Sequence, residues 1–126
     1  MINNTDDAYL NSCRDALQAE QTKSLSQTNN WEHVDREKVH NEWDLLYKDI
    51  AQLIDTNKPE DEEVQKLMGK HYAIACKFYR PSKKAYIGMG LFYNDNEDMK
   101  NYHNAYHPKM VEFLIDAIHY YSETYL

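Results

Sequence analysis

Histidines, cysteines and a pair of glycines are the residues of this 126-residue chain whose types and spacing could do chemistry. His103 and His107 stand four apart, as zinc-binding pairs on helices do. Pro108 sets them astride a helix break, however, and no cysteine or carboxylate set completes a tetrahedral site. Glu37 with His40, and Asp116 with His119, each place a carboxylate three residues before a histidine, the spacing of di-iron bundles. Those bundles also draw an inward glutamate from each of two further helices, whereas the acids of the second and third helices here cluster at the ends. Solvent-facing histidines are the better reading. His71 falls among apolar residues, and three readings stay open for it: a haem ligand, a buried imidazole satisfied by a hydrogen bond, and a cleft-facing donor to a ligand carbonyl. Nothing else marks a haem pocket. Cys76 lies between Ala75 and Phe78 and beside Lys77, an inert packed thiol unless its pKa is lowered. Cys13 is no more nucleophilic by its surroundings, and no Ser–His–Asp order or nucleophile elbow occurs. The expectation is a protein that is not an enzyme and carries no cofactor and no metal.

The glycine pair lies in "IGMGLFYND", where Gly88 and Gly90 flank Met89; the chain has three glycines in all. A nucleotide fingerprint needs a preceding strand and three spaced glycines, and here the pair sits inside a helical pattern. Two compatible readings remain, and both are expected together. Small residues permit close helix–helix packing. Missing side chains also leave a shallow groove, floored by Met89 and walled by Tyr86 and Tyr93.

Helical periodicity runs through the elements that must position these residues. Val39, Trp43, Leu46, Ile50 and Leu53 recur at four and three residues, predicting a helix over roughly 31–55, with Asn29 and Glu32 as a capping pair. Pro59 breaks it and opens the next helix, whose acidic run Glu60–Glu63 suits a helix N-terminus. Val64, Leu67, Met68, His71, Ala75 and Phe78 form its inward stripe. Ser82 is a candidate cap for a third helix over about 83–94. A short helical piece is expected over Glu97–Asn104. His107 and Pro108 open a last helix with Met110, Phe113, Leu114, Ala117, Ile118 and Tyr121 inward. No alternating run flanked by turn signals predicts a strand, so the expected class is all-α with about five helices. Residues 1–28 differ: "TKSLSQTNN" is polar, yet Tyr9, Leu10, Cys13, Ala16 and Leu17 share a helical face. So short an amphipathic segment is marginal alone. It is expected to be a flexible arm, loose or ordering when its apolar face finds a place to dock, ahead of a helical domain over 29–126.

Composition narrows the partners. A net charge of −7 argues against nucleic acid, whose binding is driven by cationic side chains. No apolar run approaches the roughly 20 residues of a bilayer span, and the N-terminus lacks a secretory pattern. Two cysteines without an export signal read as reduced thiols in the cytosol. Eleven tyrosines against three phenylalanines offer flat apolar faces with hydrogen-bonding tips. That suits a wet binding cleft better than a dry core.

Across Val39 to Tyr121 the chain resembles the TipAS antibiotic-recognition domain. The resemblance is carried by the proline and acidic pair opening a helix, then Val64, Gln65 and His71, and by the aromatic pair Phe78–Tyr79. Gly90 and Tyr93, Pro108 and the "LIDAI" helix complete it, and Asn4–Tyr9 is similar to part of the family's N-terminal arm. It implies a compact, globin-like helical domain whose cleft takes bulky, partly apolar peptide antibiotics such as thiopeptides, with an arm that orders over the ligand. It further implies a place as the drug-sensing part of MerR-family transcription activators, or an existence alone. By the resemblance, the cleft-lining residues are His71, Phe78, Tyr79, Tyr86, Met89, Gly90 and Tyr93, with Tyr102 and Phe113.

The chain departs from the family pattern at Asp98–Met99, where a turn has arginine before an aromatic residue, and at Pro108–Lys109, where it has proline–glycine. The stretch Arg80–Tyr93, where a capturing cysteine is expected, contains none; Pro81 and Gly88 stand instead. A MerR DNA-binding part would need about 100 further residues. The expectation is a cytoplasmic binder of an antibiotic-like small molecule, acting by sequestration or as a sensor, with no direct nucleic-acid or membrane partner. The alternative is an interaction module taking a partner helix in its aromatic groove.

Overall fold

The computed structural model describes residues 5–126; of the arm-like segment Asn4–Tyr9, Asn4 lies outside them. Among the described residues there are six helices and no strand. Each helix starts where a side chain satisfies the first free backbone N–H groups, or where a turn does so instead. Asp6 accepts from Ala8 N at 2.9 Å at the head of α1 (Asp7–Gln27). Asp35 accepts from Lys38 N ahead of α2 (Arg36–Leu53). Before α3 (Glu62–Ala75), the Asp61 carboxylate turns back to Lys58 N and Asn57 Nδ2. Ser82 caps α4 (Lys83–Asp95) through Ala85 N, as expected from sequence. Asn96 caps α5 (Glu97–Asn104) through Met99 N. For α6 (Met110–Tyr125), Asn104 Oδ1 reaches forward to Val111 N at 3.0 Å.

The start expected at Asn29 is corrected. Asn29, Asn30 and Trp31 all adopt left-handed backbone, with φ of 51°, 59° and 62°. Three such residues cannot continue a right-handed helix, so α2 begins at Arg36, capped by Asp35 rather than by Asn29. The Asn29 amide still meets Glu32, but side chain to side chain, at 2.8 Å.

Helix α4 is the central element, packed on α1, α5 and α6, while α3 bridges α2 and α6. The main core is built from Val39, Leu46 and Ile50 of α2, Val64 and Met68 of α3, and Met110, Leu114 and Ile118 of α6, all almost fully buried. A second cluster joins Cys13 of α1 to Ile87 and Leu91 of α4. The glycines resolve into two packing contacts. A Cβ on Gly88 would stand 2.3 Å from the Cys13 carbonyl oxygen, so α1 crosses there because no side chain intervenes. A Cβ on Gly90 would meet Ile118 Cδ1 of α6 at 3.3 Å. Close approach on both sides is therefore what the pair provides. No helix among the described residues is long and apolar enough to cross a membrane.

A candidate ligand-binding hollow

One face of the bundle holds a hollow of about 390 Å³. Its wall follows from helical spacing. His40, Trp43 and Tyr47 come off α2, Met89, Phe92 and Tyr93 off α4, and Met99, Tyr102 and His103 off α5. In each set, neighbours three or four residues apart share one side of a helix. Ala75 closes α3, and Phe78 and Tyr79 follow it on the α3–α4 connection. Gln21 of α1 and Trp31 of the α1–α2 connection complete the rim. Trp31 is held by its indole N–H, which donates to Ser24 Oγ at 2.9 Å. Its ring meets Phe78 edge-on at 5.0 Å and lies nearly parallel to Tyr79 at 6.5 Å. Elsewhere on the wall, Trp43 stacks on Tyr47 at 5.7 Å, and Tyr93 stacks on His103 at 4.0 Å. No Lys, Arg, Asp or Glu lines the hollow.

From this wall inward runs a buried chain of hydrogen bonds whose direction is set at one end. His103 Nδ1 lies 2.7 Å from the Met99 carbonyl oxygen, which can only accept, so Nδ1 carries the proton. His103 Nε2 then accepts, and the Tyr47 hydroxyl donates to it at 3.1 Å. The Tyr47 oxygen is left to accept from His71 Nε2–H at 3.2 Å. His71 Nδ1 must accept in turn, from the Tyr86 hydroxyl at 2.8 Å. The Tyr93 hydroxyl stands 3.5 Å from the same His71 Nε2. Every member is uncharged. Burial first, and then the neighbouring imidazole of His103, lowers the His71 pKa to about 3, and burial also lowers that of His103 against the opposing pull of the Met99 carbonyl. Burial lifts Tyr47 and Tyr86 well above the ordinary phenol range and Tyr93 to about 12.

Of the residues expected to line a cleft, Phe78, Tyr79, Met89, Tyr93 and Tyr102 face the hollow. His71 and Tyr86 do not: both are fully buried one layer behind it, where each satisfies the other. The rings of His71, Tyr86 and Tyr93 pack together at 5.7 and 6.3 Å, and the opening lies on the outer side of Tyr93. The groove expected between Tyr86 and Tyr93 is thus displaced, with Met89 and Tyr93 on its wall and Tyr86 beneath. Gly90 faces α6, and Phe113 belongs to the core. Among the open readings of His71, the satisfied buried imidazole is the one found. Trp31, Trp43, Tyr47, Phe92, Met99 and His103 line the hollow without having been singled out for it. Spacing carried a signal for several: Trp43 and Tyr47 are four apart, as are Met99 and His103.

Neither thiol reaches the hollow. Cys13 is buried between α1 and α4, where burial raises its pKa, and Cys76 caps the C-terminus of α3 on another side. One hydroxyl on the wall is uncommitted: Tyr79 Oη is buried with no hydrogen-bond partner. Burial and the nearby Glu20 charge push its pKa up to about 12, so it stays a donor at neutral pH.

Comparison with curated proteins and comparison with solved structures each returned no match. The family model of the TipAS antibiotic-recognition domain matches residues 14–121, reaching back into α1 and covering the α2–α5 wall and most of α6. By that match, the chain belongs to the TipAS antibiotic-recognition domain family, a family of ligand-recognition domains.

Proposed function

We propose that this protein binds a bulky, amphipathic, thiopeptide-like natural product in the aromatic hollow, noncovalently, within a globin-like helical bundle. The observation that carries the reading is the wall itself: rings from α2, α4, α5 and both adjoining connections, with Met89 and Met99 among them, converge on one opening. Rings offer large rigid contact area, and methionines adapt to irregular shapes. Phe78, Tyr79, Met89, Tyr93 and Tyr102 would touch the ligand directly. His71 and Tyr86 would act from behind, by fixing Tyr47 and His103. Gln21 and Trp31 tie the rim to residues 1–28, so a ligand touching them would favour the docked arm over an undocked one.

Binding alone sequesters a drug in the cytoplasm. Joined to a MerR-type DNA-binding part, the same binding would report the drug to a promoter. A partner helix, the alternative occupant, needs apolar anchors laid along a groove. Convergence of the rings on a single opening of about 390 Å³, within the size range of small-molecule sites, favours the small ligand. The test is a titration of thiopeptides and other amphipathic antibiotics against intrinsic fluorescence. Trp31 and Trp43 are the chain's two tryptophans and both line the hollow, so saturable quenching is the expected result. No response across a broad panel would sink the reading.

A further inference from the structure

The lining of the hollow bears on a ligand's charge as well as on its shape. Its wall carries no Lys or Arg to receive an anion. Lys77, next to Phe78, turns its ammonium to Glu42, and the lysine found over a ring is Lys84 above Tyr9, outside the hollow. His103 cannot supply a positive charge without breaking the chain that occupies both of its nitrogens, and His40, the other histidine on the wall, is exposed to water. Tyr47 and Tyr102 hydroxyls are engaged with His103 and Tyr106, and the uncommitted Tyr79 hydroxyl is a neutral donor that brings no charge. An anion brought here would lose its water and gain no compensating charge, which is costly. A cation meets the opposite situation. Two indoles and several phenyl and phenol rings line it, and the negative face of such a ring attracts cations, most strongly when water is excluded. The nearby carboxylate of Glu20 accepts from Ser82 N at 3.0 Å and from the Ser82 hydroxyl, both neutral donors, so these bonds leave its charge uncancelled. The whole chain, at −7, draws cations toward its surface.

We propose that the preferred ligands of the hollow are lipophilic aromatic cations, held between Trp31 with its neighbours Phe78 and Tyr79 on one side and Trp43 on the other. The proposal rests on the ligand-binding reading above and adds the ligand's charge. Tetraphenylphosphonium and tetraphenylborate have nearly the same shape and opposite charge, and triphenylphosphine oxide is a neutral relative. Each is titrated against tryptophan fluorescence in buffer of about pH 8, above the ordinary imidazole range.

The expected result is that the phosphonium binds at least about tenfold more tightly than the borate. Its affinity should also fall as salt rises, since part of the attraction is long-range. Trp43→Leu should weaken the phosphonium more than the oxide, and Trp43→Phe should recover part of the loss. Borate binding equal to or tighter than phosphonium overturns the charge selection and leaves the hollow a ligand site. Binding of the oxide without the phosphonium does the same. Silence of all three probes removes the charge proposal, and silence extending to the antibiotic panel removes the reading beneath it too. The wild-type comparison decides the matter even if the Trp43 variants fold poorly.

Discussion

Replacing Gly88 with alanine tests whether α1 depends on a missing side chain. The new Cβ would lie 2.3 Å from the Cys13 carbonyl oxygen, 2.9 Å from its carbon and 3.0 Å from Leu17 Cβ. Two of these atoms are backbone, so no rotamer change relieves the contact. Helix α1 must retreat by roughly 1 Å to restore ordinary van der Waals separation. Two effects compete. Alanine gains about 1 kcal/mol over glycine in helix propensity, while overpacking a close contact costs about 1–3 kcal/mol, sometimes more. The loss has a ceiling, because α1 can leave: what it forfeits is mainly the burial of Leu17 and Cys13, about 1.5–3 kcal/mol for the leucine. The net expectation is a destabilisation of up to about 2 kcal/mol, read as a fall in Tm of up to roughly 10 °C. Gly69 is the internal control. A Cβ there meets nothing within 4 Å and its φ is not positive, so Gly69→Ala should stabilise by about 0.5–1 kcal/mol. Thermal unfolding and hydrogen exchange of the α1 amides measure both. If Gly88→Ala melts at or above the parent, with α1 protection unchanged, the packing account of this glycine is wrong.

Acid should weaken the fold through His71. Its folded pKa, about 3, lies below the ordinary value of 6.5, so below 6.5 the unfolded chain binds the extra proton and the folded one does not. Stability is then intact above pH 6.5 and drains away as pH falls toward 3, by up to about 5 kcal/mol as an upper bound. His103, shifted in the same direction, adds to the slope. Urea melts at steps of pH read the loss, and a flat profile over this window would contradict it. Tyr86→Phe removes the donor to His71 Nδ1 and leaves a fully buried acceptor unpaired. A loss of about 1–3 kcal/mol is expected, with no change in the ligand-accessible wall. A neutral effect in denaturant unfolding would show that the hydroxyl is not the donor.

Much of the fold was legible from spacing. The Ser82 cap, the 97–104 helix and the inward stripes of α3 and α6 lie where periodicity puts them, because apolar residues three and four apart have to be buried together. The start of α2 was hidden. Asn29 with Glu32 has the composition of a capping pair, and nothing local announces three consecutive left-handed residues. The candidate site was half legible. Phe78, Tyr79, Met89, Tyr93 and Tyr102 reach the hollow, but a stripe says only that a residue faces inward, not which layer it occupies. His71 and Tyr86 share the inward faces of α3 and α4 and end up beneath the wall, since each completes the other's hydrogen bonding. Trp43 read as core for the same reason in reverse: it lies on α2's apolar stripe, outermost. Trp31 reaches the rim only through the left-handed turn.

The line from Tyr86 to the Met99 carbonyl ranks its tyrosines by place rather than by depth. Tyr86 stands at the head, so erasing its oxygen strands a single nitrogen. Tyr47 stands in the middle, giving to one imidazole and taking from the other, so the same erasure orphans two. Both side chains are hidden to nearly the same degree, yet only the inner one is irreplaceable to neighbours on either hand. Because polarity flows one way from an anchor that can never donate, neither imidazole is free to swap tautomers alone, and the floor under the hollow keeps a single proton arrangement.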